Sequence, residues 1–111
     1  MNNCIFCKII NRELPSQNVF ETESVSVFKT IKPVAEHHYL VVPKKHIKSF
    51  MELGDDIKDM KDAAQEVIMQ NNIASGYKLI FNGGKYQEVM HIHWHLLAGK
   101  LEDNDDILNQ L

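Results

Sequence analysis

His91-Ile92-His93-Trp94-His95-Leu96-Leu97 reads as a strand with an apolar side and an imidazole side. Successive side chains of a β-strand point to opposite faces. His91, His93 and His95 are therefore expected on one face, with neighbours roughly 7 Å apart. Met90, Ile92, Trp94 and Leu96 are expected to cover the other face and pack into a core. Three alternating imidazoles are an improbable way for a strand to be merely polar, so the run is read as a functional site.

Outward from this strand, the chain reads as one α+β domain. Residues 18–21 and 25–29 alternate apolar and polar around Thr22-Glu23-Ser24, which predicts a hairpin. Residues 31–36 form a loop. Residues 38–42, rich in β-branched and aromatic side chains, form a strand ended by Pro43. From 55 to about 72 the period becomes helical, with Asp55 as N-cap and Ile57, Met60, Ala64, Val67 and Ile68 as the core stripe. Residues 77–81 are a strand. Asn82-Gly83-Gly84 is a turn signal leading into a long histidine strand over 87–98. Residues 5–11 make one or two helical turns, and 100–111 form an acidic tail. The expected architecture is an antiparallel sheet of about five strands with one long and one short helix.

The 111 residues suit a single domain, 1–111, with 44% hydrophobic and 24% charged residues. A net charge of −3, with no Lys/Arg run beyond two residues, argues against a nucleic-acid footprint. No apolar stretch approaches the roughly 18 residues of a membrane span, and the N-terminus lacks the layout of a secretion signal. A cytoplasmic protein is expected. Both cysteines lie in Cys4-Ile5-Phe6-Cys7, which in that compartment is more often a metal or redox element than a disulfide.

His-apolar-His-apolar-His followed by two apolar residues resembles the signature of the histidine triad (HIT) superfamily. Cys4-Ile5-Phe6-Cys7-Lys8-Ile9-Ile10 is similar to that family's N-terminal segment. His38-Tyr39-Leu40-Val41-Val42-Pro43-Lys44-Lys45-His46-Ile47 is similar to its central strand and following turn. Gly76-Tyr77, Asn82 and Gln87 fall where the Hint branch keeps similar residues. The resemblance spans roughly residues 4–99.

It implies an enzyme that cleaves purine nucleoside monophosphate conjugates, such as adenosine phosphoramidates, at the α-phosphate. The middle histidine, His93, would attack phosphorus and form a nucleotidyl-histidine, with a backbone carbonyl fixing its tautomer. His91 and His95 would flank the phosphate, and His95 would share charge with the nonbridging oxygens or relay a proton to the leaving group. His38 would wall the pocket. Asn82 and Gln87 would donate amide hydrogens to phosphate, with Gly83 and Gly84 letting the backbone come close. The resemblance also implies a structural zinc on Cys4, Cys7, His46 and His91, which make up a tetrahedral donor set within an N-terminal zinc-motif segment over 1–12. No catalytic metal is expected. A homodimer with one continuous sheet is implied as well.

Two positions depart from the family pattern. Thr30 stands where members carry an acidic residue that grips the ribose hydroxyls, and Glu88 stands where Ser or Thr commonly donates to the leaving group. Two rival functions use the same residues: a zinc-dependent hydrolase with the three histidines as metal ligands, and a non-catalytic nucleotide- or partner-binding module.

Overall fold

The alternating runs become strands of one antiparallel sheet, seen in a computed structural model that describes residues 3–101. Of the acidic tail expected over 100–111, residues 102–111 lie outside the described residues. The strands are β1 (Asn18–Glu21), β2 (Val25–Lys29), β3 (Ala35–Pro43), β4 (Lys78–Ile80) and β5 (Trp94–Leu101), in the order β1-β2-β3-β5-β4. Two helices accompany them, the short α1 (Ile5–Ile10) and the long α2 (Asp56–Gln70). The β1–β2 hairpin is tied by Thr22, whose hydroxyl oxygen accepts the N–H groups of Ser24 and Val25 at 3.2 and 3.0 Å.

The two faces of the sheet have different work. On one, Val25, Val27, Tyr39, Val41, Trp94, Leu96 and Ala98 pack against Met60, Ala63, Ala64, Val67 and Ile68 of α2. Each Val, Leu, Ile and Met side chain among them contributes about 1.5–3 kcal/mol of burial. On the other face, Phe28, Leu40 and Val42 pack with Phe6 of α1, flanked by the partly buried Val89. This second face carries the histidines, because β3 places His38 and β5 places His95 in register with its residues: Leu40 pairs with His95, and His38 with Leu97.

Several expectations are corrected. The histidine strand begins at Trp94, not at residue 87, so His91 and His93 precede it. The ladder with β3 reaches only Val41↔Trp94. Further along stands Pro43, which has no N–H and whose carbonyl is taken by the His91 ring. A single bond, Ile92 N–H to Ile47 O at 2.7 Å, guides the chain there instead. Met90 is 52% exposed, while Ile92, Trp94 and Leu96 are buried as expected. Asn82-Gly83-Gly84 is no tight hairpin turn: β4 and β5 are joined by a longer segment that includes a short 3-10 turn, Gly84–Tyr86. Gly84, at φ +60°, suits the start of that turn. In α2 the N-cap Asp55 makes no side-chain capping bond. Ile57, the second residue of the helix, is 44% exposed, so the stripe starts at Met60.

Candidate active site

The run of three histidines divides between two neighbouring clusters. His93 and His95 face the cavity on the α1 side of the sheet, their ring centroids 5.1 Å apart. His91 turns away from them toward Cys4, Cys7 and His46.

In the cavity, backbone groups settle where each proton sits. His93 Nδ1 lies 2.9 Å from the carbonyl of His91, so Nδ1 carries the hydrogen and donates it. Its Nε2 is left bare. For His95 the argument runs through His38. The Val34 N–H donates to His38 Nδ1 at 3.1 Å, so that nitrogen is an acceptor and the hydrogen is on Nε2. His38 Nε2 then donates to His95 Nδ1 at 2.9 Å, which leaves the His95 hydrogen on Nε2. The two neighbouring rings therefore present opposite functions: a lone pair on His93 and an N–H on His95.

This assignment requires neutral rings, and burial provides them. Burial lowers His38 and His93 from their ordinary value. His95 falls to about 4, through burial first and then the His93 and His38 charges. The bond to the His91 carbonyl and the Glu88 carboxylate act the other way on His93. Phe6, reached from α1, sets its ring edge-on to His93 at a centroid distance of 4.9 Å and keeps that ring dry. Sequence reading did not single out Phe6 or Val34. An apolar residue between two cysteines signals only packing, and a backbone N–H leaves no mark in a sequence.

The remaining candidates take different places. Thr30 lines the cavity one strand beyond His38, its N–H 3.3 Å from the His38 carbonyl. The Thr30 hydroxyl oxygen accepts the Lys32 N–H at 3.3 Å. Asn82 and Glu88 line the rim. Gly83 and Gly84 are exposed and do not line the cavity. Gln87 is buried, and its amide donates to the carbonyls of Lys48 at 2.6 Å and Val89 at 2.9 Å. Both hydrogens are thereby used, so Gln87 braces the loop and has none left for a phosphate.

The second cluster gathers donor atoms that could hold a cation. His91 Nε2 donates to the Pro43 carbonyl at 2.8 Å, which leaves its Nδ1 bare. Around that lone pair stand Cys4 Sγ at 3.3 Å, Cys7 Sγ at 3.6 Å and His46 Nδ1 at 3.2 Å. Cys7 Sγ is 3.2 Å from His46 Nδ1, and all four donor atoms lie within 4.8 Å of one another. Bonds of about 2.0–2.3 Å to one tetrahedral cation would set such atoms roughly 3.3–3.8 Å apart. The four distances above lie in or just below that range, and the other two pairs lie within 4.8 Å. Burial, with Cys4 alongside, pushes the Cys7 thiol up to about 11, a penalty that a cation would offset. The four residues could hold a metal, and the outward nitrogen of His91 is already oriented by a carbonyl.

Comparison with known proteins agrees with this geometry. The family model described as "Scavenger mRNA decapping enzyme C-term binding" matches residues 3–106. A HIT-like protein of Methanocaldococcus jannaschii is 42% identical over 101 residues, covering 85% of this chain and 77% of that protein. The purine nucleoside phosphoramidase of Escherichia coli is 38% identical over 103 residues, covering 86% and 87%. A histidine triad protein from Clostridium difficile superposes with a TM-score of 0.85 at 40% identity, covering 90% of this chain and 93% of that one. With its imidazole-lined sheet face and these relatives, the chain belongs to the histidine triad superfamily as a Hint-like protein.

Proposed function

We propose that the protein is a nucleotide-binding hydrolase that cleaves purine nucleoside monophosphate conjugates, of the adenosine phosphoramidate kind, at the α-phosphate. The observation that carries this reading is the opposed pair of tautomers, with a bare Nε2 on His93 beside an N–H on His95. His93 Nε2 attacks phosphorus. As the phosphorus–nitrogen bond breaks, its electron pair stays on the leaving nitrogen, which has taken a proton from solvent beforehand and departs as the neutral amine, while the His95 Nε2–H hydrogen-bonds the nonbridging oxygens where charge develops. His38 hands its own hydrogen bond to His95 throughout, holding that ring in the donor tautomer. Water then attacks the nucleotidyl-His93 and passes a proton to the released amine, and the bond to Nε2 breaks with its electron pair returning to a neutral His93. Thr30 is assigned to the ribose, with a weaker grip than a carboxylate, and Asn82 to the phosphate. The name of the Escherichia coli relative supports the substrate class.

The rival zinc hydrolase meets a geometric obstacle. His91 faces the cysteines, and His95 Nδ1 is occupied by His38, so the three histidines do not converge on one ion. Zinc is assigned instead to Cys4, Cys7, His46 and His91 as a structural staple between α1 and the sheet. Such a thiol pair needs a reducing compartment, which supports a cytoplasmic location. No helix among the described residues is long and apolar enough to cross a membrane.

A homodimer with a continuous sheet is part of the same reading. β4 is an edge strand whose Leu79 is exposed. Next to it, exposed Phe81 stacks on exposed Phe50, with ring centroids 4.7 Å apart. An apolar open edge invites pairing with a second copy. Sedimentation of the protein and of Leu79→Lys tests this, the variant being expected to shift to monomer.

The activity is tested by hydrolysis of a fluorogenic adenosine phosphoramidate by the wild type and His93→Ala, each with and without EDTA. Turnover that survives EDTA and vanishes with the substitution is expected. Turnover abolished by EDTA in a protein that stays folded would favour the zinc hydrolase, and none in the wild type would favour a binding module.

A further inference from the structure

Two carboxylates line the cavity: Glu36, which accepts the Lys100 N–H at 3.3 Å, and Glu88, whose charge reaches His93 and conflicts with the ligand there. Glu88 lines the same cavity as His93 and His95, where an anionic phosphate must sit. Its position is held from both sides, since Gln87 is buried and bolted to two carbonyls while Val89 packs on the apolar cluster with Phe6, Phe28 and Leu40. The carboxylate makes no ion pair among the described residues. Lys85, the nearest cation in sequence, lies over the Tyr86 ring at 5.4 Å instead. The ion pairs that do form involve Glu21 and Asp62, far along the chain from this segment. Lys29 and Lys32 also line the cavity, but a carboxylate beside the phosphate disfavours simple nucleotides, and a ligand that brings its own cation relieves that repulsion.

We propose that Glu88 is a specificity residue that selects conjugates whose leaving group carries an ammonium group of its own. This rests on the phosphoramidase reading, in which Thr30 takes the ribose and the rim formed by Asn82, Tyr86 and Glu88 therefore faces the leaving group. The fitting substrates are nucleoside monophosphates joined through nitrogen to a diamine or to a basic amino-acid derivative. The distal ammonium stays protonated from binding to departure. Its contact with Glu88 is therefore similar in ground state and transition state, and it appears in KM more than in kcat.

The test compares three adenosine phosphoramidates whose leaving amines have equal length: a diaminoalkane, the plain alkylamine and an ω-amino acid. Each is assayed with wild type, Glu88→Gln and Glu88→Lys. The wild type is expected to prefer ammonium over neutral and neutral over carboxylate by roughly tenfold per step in kcat/KM, mostly through KM and less at high salt. Glu88→Gln is expected to flatten the series and Glu88→Lys to invert it. Equal rates for the three substrates in the wild type would overturn the proposal. So would a Glu88→Gln effect that lowers kcat equally for all three, the signature of a proton-transfer role. Turnover of the neutral substrate without charge preference removes the role of Glu88 alone. Failure to turn over any of the three removes the phosphoramidase reading, and this proposal with it.

Discussion

The candidate metal cluster and the candidate catalytic cavity draw on imidazoles of one run, His91, His93 and His95, yet they are wired in opposite ways. Around Cys4, Cys7, His46 and His91, donor atoms converge on one point, with distances of 3.2–3.6 Å among them. Around His38, His93 and His95, each contact pairs a hydrogen with a lone pair. The difference lies in what holds each ring's far nitrogen. Pro43 O turns the lone pair of His91 toward the cysteines, His91 O turns that of His93 toward the cavity, and the Val34 N–H sends a hydrogen through His38 to His95. Backbone groups set the tautomers, and the tautomers set which ring could hold a cation and which turns a lone pair or an N–H to the cavity. His91 belongs to both regions, its side chain to one and its carbonyl to the other.

The sharpest way to separate the regions is to remove one ring from the cavity. His93→Ala should lower kcat/KM by about a thousandfold or more, with little change in melting temperature. Removing the orienter instead, with His38→Ala, should cost roughly 10–100-fold, because His95 is then free to take the wrong tautomer. Steady-state kinetics with thermal melts reads both.

Acid attacks the cavity through the same rings. Since kcat/KM reports the free enzyme, its acid limb should lie below the ordinary histidine value of 6.5, toward the His95 value of about 4. Stability follows with a definite sign. Between those two values the unfolded chain binds more protons than the folded one. The stability that comes from keeping His95 neutral is therefore complete above pH 6.5 and is lost as pH falls toward about 4. A denaturant titration at several pH values measures this, and a midpoint that does not move across the window would contradict it.

The metal cluster should respond in the reverse order. Cys7→Ser, or exhaustive chelation, should lower the melting temperature by about 10 °C or more. Activity should fall only a few-fold, through slack in the His91 carbonyl that holds His93. The smallest effect is expected at the ribose: Thr30→Asp should tighten KM for adenosine conjugates a few-fold and leave kcat unchanged.

Most of this division was legible in the sequence because periodicity reports faces. The alternation over 18–29 and 38–42 became strands, and Met60, Ala64, Val67 and Ile68 became the stripe of α2. Cys4, Cys7, His46 and His91 came together as the resemblance implied. What failed were matters of partners, which periodicity does not report. The run at 87–93 has strand-like alternation but lacks a ladder partner, because Pro43 offers no N–H. Gln87 has the chemistry of a phosphate donor, yet the carbonyls of Lys48 and Val89 claimed it. Ile57 fits the helical period but lies beyond the edge of the sheet's cover and stays exposed.

The central claim is that His93 alone attacks phosphorus, with the His95 N–H steadying the phosphate. Intact-mass spectrometry of a single turnover with an adenosine phosphoramidate tests it most directly, using the wild type, His93→Ala and His95→Gln after rapid quench. The account predicts a transient protein adduct of one nucleoside monophosphoryl group, located on His93 by peptide mapping and absent from His93→Ala. An adduct on another residue, or turnover by His93→Ala at the wild-type rate, would contradict it.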